Sequence, residues 1–120
     1  MGAFSIYDLL GDLLLDLQTA YNDGDSERID RIWGFAGWCF DRKRHRSVRN
    51  AVAVSFYEHI SHFGPAARDM PNRVSLDVFR ELLPAFRVTL DDREYDEFVR
   101  AFLAAKGERV PKRRRRKGAA

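Results

Sequence analysis

The sequence predicts an all-α fold, on three observations. Apolar residues recur at spacings of three and four along most of the chain, no segment alternates as a strand does, and capping residues stand in front of most of the periodic segments. A chain of 120 residues is most simply a single domain, and it is long enough to bury a real core without metals or disulfides. The expected architecture is a compact bundle of about five helices over 1–107. Its centre is an antiparallel hairpin, stacked like a HEAT-type helix pair, and a disordered basic tail follows at 108–120.

The first helix is predicted over 5–21. Ser5 can cap it, and Asp8 in the first turn suits the positive end of the helix dipole. Tyr7, Leu10, Leu13, Leu14, Leu17 and Tyr21 share a core stripe, while Asp8, Asp12 and Asp16 recur every four residues on the outer face. Those aspartates and the lack of a basic leader segment argue against a signal peptide. Ile6 stands where a myristoylation pattern needs Ser or Thr. A cytoplasmic location is the default expectation. The run 22–25 is a turn signal, with Gly24 as its left-handed residue.

A second helix, capped by Asp25, is predicted over 26–44. Ile29, Ile32, Trp33, Ala36 and Phe40 form its inner face, with Phe35, Trp38 and Cys39 beside it. Gly34 and Gly37 stand inside this helix, where each costs about 1 kcal/mol relative to Ala. Close backbone approach to Ala51 and Ala53 of the next helix is the expected compensation. That next helix, 47–63, is apolar around most of its circumference, which predicts a buried central position. Arg49, Asn50, Glu58, His59 and His62 make it too polar, and its length too short, for a membrane span.

Residues 64–74, with two prolines, read as a loop holding at most one helical turn. A fourth helix follows Ser75, with Val78, Phe79, Leu82, Leu83 and Phe86 on its apolar face. Pro84 is expected to end or kink it. In the last helix Asp91 and Glu94 fit a capping box, and Tyr95, Phe98, Val99, Phe102 and Leu103 face the core. Gly107 ends it, and Pro111 blocks continuation.

Charge divides the chain. Residues 1–105 carry 13 basic and 17 acidic residues, whereas 106–120 carry 8 basic residues and one acidic residue. The run Lys112, Arg113, Arg114, Arg115, Arg116 and Lys117 attracts polyanions through counterion release, but offers no aromatic residue for stacking on bases. The single cysteine, Cys39, cannot form a disulfide within the chain, and its aromatic neighbours favour an inert thiol. His59 and His62 have ligand-like spacing but lack a third ligand. The carboxylates at 91–97 are explained by the start of the last helix. The sequence therefore assigns no catalytic residue, no metal and no cofactor.

Two sets of residues stand out for binding. Arg49, Asn50, Glu58 and His59 are polar positions on a helix that otherwise reads as core. They form either an internal network or the rim of a contact surface. Trp33, Trp38 and Tyr57 are the large amphipathic side chains that could anchor a partner.

The stretches Phe35-Ala36-Gly37-Trp38-Cys39 and Arg49 to Phe56, with Glu58 and His59, carry a resemblance. They are similar to the F-A-x-W-C and R-N-A-V-A-V-S-F-x-E-H motifs of a family of small bacterial helical domains of uncharacterised function. The likeness extends over roughly 5–105, a single domain's length, and leaves out the tail. It implies the helical fold and brings no catalytic residues. Helical proteins of this kind can stand beside secreted toxins as immunity partners, so the resemblance also implies a binding role. The functional expectation is a non-enzymatic protein-interaction module, a toxin-immunity or regulatory partner, acting as a monomer or weak homo-oligomer away from membranes. The alternative is non-specific nucleic-acid or polyanion binding through 112–117.

Overall fold

Six helices and no strand run through residues 5–110, the part of the chain that the computed structural model describes. Helix α1 (Ile6–Asp23) opens on a capping box. The Asp8 N–H donates to Ser5 Oγ at 3.1 Å, and the Ser5 N–H donates to the Asp8 carboxylate at 3.3 Å. It closes on Gly24, whose φ of 66° is left-handed. Helix α2 (Ser26–Phe40) is capped by Asp25 and stops four residues before the expected end, because Asp41 breaks into a turn over 41–44.

Helix α3 spans 46–60 and differs from a plain α-helix. Arg46–Val52 is α, Ala53–Tyr57 is a π turn, and Glu58–Ile60 returns to α. The wider turn explains why the segment looks apolar on several sides. Phe56, Tyr57 and Glu58 are consecutive, yet all three are buried, which a 3.6-residue turn disfavours.

Three expectations are corrected. Residues 64–74 are not a loop: helix α4 (Gly64–Arg73) fills them, with Pro65 in its first turn, where a missing N–H costs nothing. Ala66 and Met70, spaced by four, are its buried face. Of the two effects expected of Pro84, to end or to kink its helix, the first does not occur, because α5 (Leu76–Thr89) continues through it. Finally, Gly34 and Gly37 do not pack against α3. A Cβ at either would meet nothing within 4 Å, and both are exposed. The α2–α3 contact is aromatic instead, with Trp33 edge-on to Phe56 and Phe40 edge-on to Tyr57 at centroid distances of 5.7 and 5.8 Å.

Helix α6 (Asp92–Ala105) starts with the expected Asp91–Glu94 capping box. Phe102 stacks on Phe79 of α5 at 3.6 Å, with Phe98 against Phe86, and so α6 closes the core from the α5 side. Helix α3 touches α1, α2 and α5, while α4 touches both α1 and α6. No helix among the described residues is long and apolar enough to cross a membrane. Residues 111–120, including the basic run expected to be disordered, lie outside the described residues.

Candidate functional site

The polar residues singled out on α3 do not converge. Arg49 turns back on the domain: its Nε donates to the Phe40 carbonyl at 2.9 Å, and a terminal nitrogen reaches Glu81 at 2.7 Å. Its guanidinium also lies 4.6 Å from the centre of the Phe40 ring. Glu58 is 8% exposed, and its carbonyl accepts from Thr89 Oγ1. Asn50 and His59 face solvent. The Arg49 contact has a clear structural role, because Phe40 is the last residue of α2 and its carbonyl has no partner within that helix. Arg49 thus closes one helix from the next.

Glu81 accepts from Arg42 as well, at 2.6 Å, and stands between two guanidinium groups. The Arg42 hydrogen bond, followed by that of Arg49, holds its carboxyl below the usual carboxylate range. These residues line a half-open cleft of about 340 Å³ with Gly37, Asp41, Asp77 and Val78. Both of its guanidinium groups are already paired with Glu81, and it contains no nucleophile–base pair.

A second polar cluster joins α1, α2 and α4. The Trp33 indole N–H donates to the Tyr21 hydroxyl at 2.8 Å, and that hydroxyl donates to Asp69 at 2.6 Å. Asp69 also accepts from Asn72 and Arg73, each at 3.0 Å, while Arg73 reaches Asp30 on α2. Burial alone would raise the Asp69 carboxyl, but the hydrogen bonds from Asn72, Tyr21 and Arg73 outweigh it and hold it low. Burial and the neighbouring Asp69 push the Tyr21 hydroxyl well up. Every member has a partner, so this cluster fastens helices and leaves no group free for chemistry. Residues 48 positions apart carried no sequence signal of this pairing.

The three candidate anchors separate by exposure. Trp33 is 4% exposed and Tyr57 is 1%, so both belong to the core and are withdrawn as contact residues. Trp38 is 53% exposed. The Phe35 ring, 39% exposed, lies nearly parallel to it at 6.2 Å. Arg44 covers its ring, with the guanidinium carbon 3.6 Å from the ring centre and Nε donating to the Trp38 carbonyl at 3.3 Å. Gly34 and Gly37 flank this group on the exposed side of α2. Cys39, by contrast, is buried, and burial pushes its thiol up, away from the reactive thiolate. Among the described residues no group of three or more His, Cys, Asp or Glu side chains is placed to hold a metal ion.

Fold and surface together define a small helical domain whose most distinctive exposed feature is aromatic. The chain belongs to the family described as Domain of unknown function (DUF7674), whose model matches residues 2–86. That match takes in α1 to α4 and most of α5, and it leaves α6 outside. No curated protein and no solved structure matches the chain.

Proposed function

We propose that this domain works by docking to a protein partner, and that the outer face of α2 around Trp38 is the contact. The exposed Trp38, held between Phe35 and Arg44, is the observation that carries this reading. Trp and Arg dominate the energetics of protein contacts. A ring already fixed by its neighbours loses little rotamer freedom on binding. The two open glycines beside it give no internal packing in return for their cost in helix stability, and they leave a shallow step next to the ring. A toxin-neutralising or regulatory role fits such a surface, with the α2–α3 pair as a central hairpin behind it.

The test is photo-cross-linking in the native host, with a photoreactive phenylalanine at position 35 of the full chain. The expected result is a discrete protein adduct that disappears when Trp38→Ala is added. No adduct, or one indifferent to Trp38→Ala, would refute the reading.

A second reading is favoured by the separation of charge, net −4 over 1–105 and net +7 over 106–120. It is salt-sensitive polyanion binding through 112–117. Retention of the full chain on DNA or RNA at low salt, lost on removing 108–120, is its expected signature.

A further inference from the structure

We infer that the partner of the α2 face is a second copy of this chain, bound antiparallel about a two-fold axis near residue 36. This rests on the reading of that face as a contact surface and names its occupant. In a two-fold pair the same patch serves both subunits, so it must complement itself. With α2 antiparallel to its copy, residue i stands opposite residue 72 − i when the axis passes residue 36. Trp38 and Gly34 are each two residues from that point, about 3 Å at 1.5 Å per residue. The exposed ring of each copy therefore meets the open step at Gly34 of the other, where no Cβ stands in the way.

Charge agrees with the same axis. Arg31 and Asp41 lie five residues to either side and become opposite each other. Both are exposed, and neither has an ion pair among the described residues. Glu27, in the first turn of α2, stands opposite His45, next to Lys43 and Arg44 in the basic turn. A parallel arrangement would instead place the basic turns of both copies together. Opposite charges face each other only in the antiparallel register, and there they do so twice.

Sedimentation equilibrium of the full chain tests this, with circular dichroism to verify that each variant folds. A dimer is expected, weakened about tenfold or more by Trp38→Ala, the scale of a truncated anchor. Gly34→Leu fills the step and should weaken it as much, though it leaves the monomer's packing alone. Arg31→Asp and Asp41→Arg should each weaken the dimer, and the double variant should restore it. Arg31 on α2 and Asp41 in the turn just past its end are about 15 Å apart within one copy, so such a rescue has to come from the other copy. A chain that stays monomeric up to about 1 mM overturns the inference. So does a dimer indifferent to Trp38→Ala and Gly34→Leu, or a double variant that fails to recover. If the chain stays monomeric while position 35 still cross-links to another protein, the contact surface stands and only the second copy falls.

Discussion

Tyr21 and Asp69 are joined by a 2.6 Å hydrogen bond across 48 positions of sequence, and the same hydroxyl receives the Trp33 indole N–H. One side chain therefore satisfies a buried donor and a partly buried acceptor on two other helices. Tyr21→Phe keeps the ring against Phe63 but leaves both partners short of a bond. The expected cost is about 1–3 kcal/mol, because deleting one member of a buried pair exposes the desolvation of the other. Urea unfolding checks it through the shift in midpoint at unchanged slope.

That cluster, with Glu81 and the buried Tyr57, sets the pH dependence of stability. Asp69 and Glu81 bind their protons less tightly in the folded state than in the unfolded chain. Their contribution is whole above the unfolded carboxylate range, about 4, and is lost as pH falls through the lower folded values. Tyr21 and Tyr57 behave in the opposite sense, since folding raises both. Their contribution is whole below about 10 and is lost as pH rises toward the folded values. Unfolding midpoints measured across pH should therefore fall at both extremes. Asp69→Asn should flatten the acid limb, and Tyr21→Phe should flatten part of the alkaline one.

Of the two ion pairs at Glu81, the shorter contributes less to stability. Arg42 lies 2.6 Å from the carboxylate, but its side chain is 81% exposed, and solvent screens what the geometry suggests. Arg49 is three-quarters buried and also closes the end of α2 through the Phe40 carbonyl. Arg42→Met should leave the thermal midpoint within error. Arg49→Met should cost about 1.5–3 kcal/mol, the range for hydrogen bonds involving a charged group. Calorimetry of the two variants side by side decides between these weights.

Glycine substitutions should divide by position. At Gly34 and Gly37 an added methyl enters open space on a helix, so each change to Ala should stabilise the monomer by about 1 kcal/mol. Gly24 also has space around it, but its φ of 66° penalises any Cβ. Gly24→Ala should destabilise by about 1 kcal/mol. Thermal melts of the three variants should move in these opposite directions.

The helix starts were the most legible part of the sequence. Ser5, Asp25, Ser75 and Asp91 each accept the N–H three residues ahead, a local bond that local spacing can announce. The prolines of 64–74 point away from the helix that forms there. Pro65 stands where no N–H is needed, and the four-residue spacing of Ala66, Met70 and Val74 was a helical signal outweighed by the prolines around it. The exposure of Trp38 against the burial of Trp33 was harder. Both sit on one aromatic helix, and five residues of rotation separate core from surface. The Tyr21–Asp69 bond joins segments whose approach depends on the whole bundle, and nothing local encodes it.

The π turn at Ala53–Tyr57 holds one more residue than an α turn would need. The wider turn absorbs the extra residue, so the sequence register moves by one while the helix after it keeps its spatial phase. Glu58, Ile60 and the entry to α4 keep the aim they would have in a helix one residue shorter. Shortening the helix by one residue inside 53–57 would tighten the turn to α geometry and keep the downstream faces in phase with the core. The same deletion in Arg46–Val52 would rotate them out of it. The segment is thus an indel-tolerant joint within a helix whose neighbouring turns have no such slack.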